Sequence, residues 1–264
     1  MGKRNTKWSK RTYLRFLREG RGKGDLAEYK PWITTHDFPS SGKVARILGE
    51  TTGRIHHLMS QNEKRLFLIL DYDPLVSDIK EQYPLPLEDT LLIAAELGFK
   101  HPEMNGYPFV LTTDFYYCKE GIWYAVTVKP SEKLSERRIL EKFDIEREYY
   151  ERRGIKWSIM TEKELDNAYA DNIWWLRSGA SLDELIQPSE LRDKIINVFH
   201  ELYQDTSIPF SELISGIEDE CSLRTGTGLQ IFKSLVRQGR ITINLHDRIN
   251  TYEPRALSPY ARLQ

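Results

Sequence analysis

Asp114 and Lys129 are the residues whose type and placement first point to chemistry. Asp114 lies among apolar neighbours in residues 111–118, and Lys129 closes residues 122–129 just before Pro130. Both segments are rich in β-branched and aromatic residues, and Lys119-Glu120-Gly121 separates them, which predicts a β-hairpin. Pro130 then ends the ladder. An acid and a lysine at neighbouring strand ends form either a half-buried ion pair or part of a hydrolytic site. Hydrolysis of a phosphodiester calls for a hard divalent cation, oxygen ligands and a nucleophilic water. In that chemistry Asp114 supplies a carboxylate, the main-chain carbonyl of Val128 a second oxygen, and Lys129 orients or deprotonates the water and neutralises charge on the phosphorane.

Two more acids stand where helices can aim them at the strand ends. Glu63 falls at the start of a helix opened by Ser60-Gln61-Asn62, where it is either a metal ligand or the capping partner of Ser60. Glu146 lies on the long helix after Lys129, where it either completes a metal shell or pairs with Lys142 at i−4. His56-His57 precede Glu63 and can contact phosphate or serve the fold, and no second His/Cys pair accompanies them to make a metal site.

The elements that must carry these residues follow from pattern. Residues 8–18 read as a short basic helix, 44–48 and 54–58 as strands around Glu50-Thr51-Thr52-Gly53, and 76–83 as a strand ended by Pro84 and Pro86. Residues 86–97 read as a helix with Pro at its start and Gly98 at its C-cap. After the hairpin, a long helix is expected from Ser131 to Gly154, a strand over 157–160, and another helix starting at the capping box Thr161-Glu162-Lys163-Glu164. This order predicts an α/β layer with a mixed sheet flanked by helices. From Ser181 the chain turns helical, over 181–186, 188–204, 209–217 and 222–238, with 240–245 as a strand. That pattern resembles a winged helix-turn-helix. Two domains are therefore expected, 1–177 and 178–264.

Composition sets the class. Of the 264 residues, 40% are hydrophobic and 29% charged, an ordinary globular balance. No apolar run approaches the ~18 residues of a membrane span, and no signal peptide is visible. The two cysteines, Cys118 and Cys221, give no metal spacing, so a reducing, cytosolic compartment is expected. Charge is unevenly spread. Residues 1–34 hold ten Lys and Arg against three acids, a net of +7, so Lys7, Lys10, Arg11, Arg15, Arg18 and Arg21 are expected to neutralise DNA phosphates, the alternative being a solvated basic tail. Residues 178–264 hold nine cations against twelve acids, a net of −3, which suits protein docking better than a DNA clamp.

The Asp114…Lys129 pair resembles the Asp…X-Lys core of the restriction-endonuclease-like nucleases. The resemblance becomes specific across Glu19-Gly20-Arg21-Gly22, Pro31-Trp32, Pro39-Ser40-Ser41-Gly42, Thr52-Gly53-Arg54-Ile55-His56-His57-Leu58, Asp78-Ile79-Lys80-Glu81-Gln82-Tyr83-Pro84-Leu85, Thr112-Thr113-Asp114-Phe115, Val128-Lys129-Pro130 and Leu140-Glu141-Lys142-Phe143. Over residues 19–176 the chain looks like the TnsA family, the endonuclease subunits of heteromeric bacterial transposases. The resemblance implies a restriction-endonuclease-like catalytic domain with a basic arm, and a winged-helix-like docking domain behind it. It places the family's catalytic acid, aspartate and lysine on Glu63, Asp114 and Lys129, and a further carboxylate on Glu146. It implies a Mg²⁺ cofactor, with Mn²⁺ as a substitute, and duplex DNA at transposon ends as substrate. The implied partners are a TnsB-type transposase and a TnsC-type AAA+ ATPase. One departure stands out: two residues before the lysine, where such nucleases usually carry Glu or Gln, this chain has Thr127, a shorter and weaker ligand. The rival readings are a non-catalytic DNA-binding adaptor and a free-standing restriction- or resolvase-type nuclease.

Overall fold

The hairpin expected around Glu120-Gly121 is the centre of the sheet. In the computed structural model, which describes residues 8–37, 44–179, 181, 185–186, 189–249 and 251–252, strands β6 (Thr112–Lys119) and β7 (Ile122–Val128) pair antiparallel from Phe115↔Val126 to Lys119↔Ile122. Glu120 and Gly121 both take positive φ, 51° and 75°, the backbone that a two-residue hairpin turn needs to match strand twist. Strand β3 (Val76–Pro84) pairs antiparallel with β6, and β8 (Lys156–Met160) pairs parallel with β7, giving the order β3-β6-β7-β8. A parallel neighbour needs a crossover, and helix α4 (Arg137–Glu151) supplies it. Ile145 and Tyr150 of α4 pack on Ala125, Leu85 and Ile93 in the core over one sheet face.

The remaining elements before residue 165 build the surroundings. Helix α1 (Lys10–Arg18) is followed by the separate hairpin β1 (Ala45–Leu48) and β2 (Ile55–Leu58), helix α2 (Gln61–Tyr72), helix α3 (Leu87–Glu96), and the short pair β4 (Glu103–Met104) and β5 (Tyr107–Pro108). Trp8, Phe16, Trp32 and Val110 form an aromatic cluster that holds α1 to the domain, and Trp8 Nε1 donates to the Pro108 carbonyl at 2.8 Å.

The chain separates into two compact units, Met1–Leu165 and Asp166–Gln264. Helix α5 (Asn167–Arg177) thus falls in the second unit, where Asn172 Nδ2 donates to the carbonyls of Leu245 and Asp247 at 2.8 Å. Among the described residues that unit also holds α6 (Ser189–Tyr203), α7 (Phe210–Glu220) and α8 (Thr227–Arg237). Phe199, Phe210 and Phe232 meet in its core.

Four expectations are corrected. Residues 240–245 are not assigned as a strand: Ile241, Ile243 and Leu245 are buried, but no partner strand pairs with this segment among the described residues. The last helix starts at Thr227 rather than Ser222, because Ser222 and Gly226 have φ of 52° and 87°, outside the helical region. Residues 131–135 make a 3₁₀ turn, and α4 begins only at Arg137. Glu164 does bond the Thr161 N–H, at 2.7 Å, but α5 starts later, on the N-cap Asp166. The expected turn at 39–42 and part of the expected helix at 181–186 lie outside the described residues. Among the described residues no helix is long and apolar enough to cross a membrane.

Candidate active site

Three elements bring the acids together. Ser60 caps α2, its Oγ accepting the Glu63 N–H at 3.1 Å, and the Glu63 carboxylate turns back to accept the Met59 N–H at 2.9 Å. Glu63 therefore braces the start of α2 through both its main chain and its carboxylate. Asp114 is 7% exposed. Its Oδ2 accepts the Val128 N–H at 2.7 Å, which ties β6 to the end of β7. Its Oδ1 accepts Gln82 Nε2 at 3.2 Å, and the same amide lies 3.4 Å from Glu63 Oε2. Gln82 thus joins the two carboxylates from the third strand.

Glu146 is buried, not a surface partner of Lys142. Its Oε1 accepts from the hydroxyls of Thr113 and Thr127. Tyr150 OH donates to Thr113 Oγ1 at 2.8 Å and Trp157 Nε1 to Thr127 Oγ1 at 3.4 Å. Thr127, which stands where a ligating Glu or Gln is usual, spends its hydroxyl on holding Glu146.

The electrostatics match a site short of positive charge. Burial, and then the charge of Asp114, push Glu63 up to about 8 against the bonds from Met59 and Ser60 and the charge of Lys129. Burial pushes Glu146 up to about 7, while the Thr113 and Thr127 hydroxyls pull it down and Asp114 adds to the rise. Lys129 is raised above the ordinary lysine value by Asp114 despite its burial, with Glu63 and Glu146 adding to the effect. It therefore remains a cation at neutral pH.

This electrostatic conflict is measurable as stability. An acid raised in the folded state contributes stability that is complete below its unfolded value of 4.5 and is lost as pH rises through about 8. Glu63→Gln keeps the shape and cannot ionise. In chelated buffer its Tm should exceed that of the parent protein above pH 8 and match it near pH 4.5. The gap should be several degrees, on the scale of about 2–4 °C per kcal/mol for a chain of this size. An equal difference at both pH values would show that the Glu63 charge is not strained.

The structure sorts the expected DNA contacts. Lys10, Arg11, Arg15 and Arg18 are exposed along α1, and Lys7 lies outside the described residues. Arg21 is committed elsewhere: it donates to Asp37 and to the Trp32 carbonyl, and its guanidinium lies 3.6 Å from the Phe16 ring centroid. His56 is fully buried, so it cannot meet phosphate. Its Nε2 bonds Thr52 Oγ1 at 2.7 Å, and its Nδ1 lies 2.8 Å from Glu81 Oε2. Burial raises Glu81, but His56 and Arg54 overcome it and hold the carboxyl at about 2. His57 is half-buried, and its Nδ1 meets the Thr35 N–H and hydroxyl.

Among the described residues no group of three or more His, Cys, Asp or Glu is placed to hold a metal. The converging oxygens here belong to two carboxylates. Two such groups suit Mg²⁺, which binds through one or two carboxylates and keeps several waters. The sequence places Gln82 and Thr113 only within stretches that carry the family resemblance and assigns neither a role. The one available signal was the polar run Asp78-Ile79-Lys80-Glu81-Gln82 inside a strand, where buried polar groups need partners.

Comparison with known proteins points to one family. A family model described as TnsA-like endonuclease N terminal matches residues 73–162, and one described as TnsA endonuclease C terminal matches residues 164–245. The chain is similar to the Transposon Tn7 transposition protein TnsA of Escherichia coli, at 36% identity over 249 residues, covering 93% of this chain and 90% of the relative.

Proposed function

The chain belongs to the TnsA endonuclease family, and on that premise we propose that it is the metal-dependent DNA endonuclease subunit of a transposase. It cleaves the 5′ ends of a transposon in the bacterial cytoplasm. A TnsB-type transposase handles the 3′ ends, and a TnsC-type AAA+ ATPase docks on the assembly. The observation that carries this reading is the convergence of Glu63 and Asp114 beside the lysine cation Lys129 at the ends of adjoining elements.

Glu63 and Asp114 would hold Mg²⁺, or Mn²⁺ in its place, with the Val128 carbonyl as a further oxygen. When bound, the ion polarises the scissile phosphate and lowers the pKa of a bound water. Lys129, kept protonated by its acidic neighbours, orients the water and neutralises charge developing on the phosphate oxygens. Glu146 and Thr127 position the Lys129-bearing strand end from behind. A nicking assay on transposon-end DNA, with Mg²⁺ and with or without the partner transposase, tests this. Metal-dependent nicks at the 5′ ends support the reading. Binding without cleavage under every condition points to an adaptor, and cleavage without the partner at unrelated sites points to a free-standing nuclease.

The tail, residues 178–264, serves chiefly to dock a protein partner. Among the cations of residues 222–238, Lys233 is buried, its Nζ bonding Ser178 Oγ and lying 4.6 Å from the Trp175 ring, and Arg237 donates to the Gly179 carbonyl. Glu218 is also committed, accepting the N–H groups of Gly226 and Gly228 at the start of α8. Asp219 and Glu220 remain exposed, where they suit a basic partner segment. Because α5 shares this core, the fragment to test is Asp166–Gln264. Calorimetry should show tight binding to the ATPase and only weak, salt-sensitive affinity for duplex DNA. Tight DNA binding with no heat from the ATPase would reverse the assignment.

A further inference from the structure

Gln82 occupies an unusual position in β3. Its neighbours in the ladder pair as Glu81↔Phe115 and Tyr83↔Thr113, which sets Gln82 across from Asp114. Its φ is +49°, a left-handed backbone that a side-chain-bearing residue adopts only at a cost and that clusters at functional sites. The carbonyl of Gln82 accepts the Trp32 N–H at 3.2 Å, which fixes this conformation from outside the sheet. The result is a side chain only 5% exposed whose amide stands between the two carboxylates.

The other end of that amide is held by a reversible partner. Thr112 Oγ1 donates to Gln82 Oε1 at 3.1 Å. A hydroxyl both donates and accepts, whereas an amide has an acceptor end and a donor end. Rotating the amide by half a turn about its last torsion exchanges the two ends, and Thr112 can then accept from Nε2. In this orientation the NH₂ group donates toward both carboxylates. Turned over, the carbonyl oxygen would face the same place, and an amide oxygen is an ordinary ligand for a hard divalent cation. Thr127 has its hydroxyl on Glu146, so the strand before Lys129 lends no side-chain amide oxygen, only the main-chain carbonyl of Val128. An amide is available from β3 instead.

We propose that Gln82 is a metal-ligating residue of this site: its amide turns over to present Oε1 to the divalent cation held by Glu63 and Asp114, while Thr112 reverses its hydrogen bond. The inference rests on the metal-dependent reading above, and its test separates the two. Mn²⁺ binding to the full chain without DNA is measured by the electron paramagnetic resonance signal of free Mn²⁺, for the parent protein, Asp114→Ala, Gln82→Met and Gln82→Glu. The parent should bind, Asp114→Ala should lose binding, Gln82→Met should bind about 10–100-fold more weakly, the range seen when groups supporting a metal are removed, and Gln82→Glu should bind at least as tightly as the parent.

If Gln82→Met binds like the parent while Asp114→Ala fails, Gln82 is no ligand and the metal site stands without it. If Gln82→Glu is as weak as Gln82→Met, the residue acts through packing and the proposal falls. If Asp114→Ala binds like the parent, or the parent binds no Mn²⁺, the reading of the site fails and this inference with it. Should near-ultraviolet circular dichroism show Gln82→Met unfolded, Thr112→Val decides. It removes only the reversible partner, and an affinity equal to the parent's would overturn the proposal.

Discussion

Asp114→Asn should lower the rate of DNA strand cleavage by about a thousandfold or more, since losing several kcal/mol of metal-borne charge stabilisation corresponds to a factor of ten per 1.36 kcal/mol. The substitution is close to isosteric. Its amide oxygen can still accept the Val128 N–H that now binds Oδ2 at 2.7 Å, so the junction of β6 and β7 keeps its bond. What disappears is the charge. Asp114→Ala removes that acceptor as well and leaves a buried N–H unpaired, at a cost of about 1–3 kcal/mol. Part of that cost is offset, because Asp114 is one of the groups that push Glu63 up. Both variants should therefore stay folded, and both should be inactive in a nicking assay with Mg²⁺. DNA affinity measured in chelated buffer should change little, because Asp114 is buried. Cleavage at the parent rate by folded Asp114→Asn would place the active site elsewhere.

The contrast between Asp114 and Gln82 shows where sequence reasoning succeeds and where it stops. Asp114 could be found because strand, turn and strand each follow from local chemistry: β-branched and aromatic runs, a glycine, and a proline that ends the ladder. Its partner Glu63 could be found because a capping serine marks a helix start, and a helix start fixes where the third residue points. Gln82 could not be found, because its role depends on a left-handed backbone inside a strand that is held by a bond from Trp32, far away in sequence. The same limit explains His56. A histidine pair before a helix looks like a phosphate contact, but only the tertiary fold brings Glu81 and Arg54 around the first ring and buries it. Residues 240–245 alternate as a strand should, and their apolar side chains are buried, yet a strand needs another beside it, and among the described residues none pairs with this segment. Periodicity reported the burial correctly, and pairing is what it had no means to report.

The basic helix should control how DNA affinity responds to salt. Lys10, Arg11, Arg15 and Arg18 are exposed on α1, and each cation that neutralises a phosphate adds about 0.9 to the slope of log affinity against log salt. Replacing all four by Gln, which is nearly as good a helix former, should flatten that slope by about 3 to 4 if every one contacts phosphate. Deleting the arm outright would be a poor test. Trp8 and Phe16 are 1% and 0% exposed within the aromatic cluster, so cutting through them would damage the domain as well as remove charge. Arg21→Gln supplies the control. Its guanidinium is already bound by Asp37 and stacked on Phe16, so the variant should melt at a lower temperature while the salt slope stays as it was. Titrations of a fluorescent transposon-end duplex at several salt concentrations would read both effects. A slope that is unchanged in the fourfold variant would assign α1 to a protein partner instead, whereas a slope that falls with Arg21→Gln would mean that DNA can draw this arginine away from Asp37.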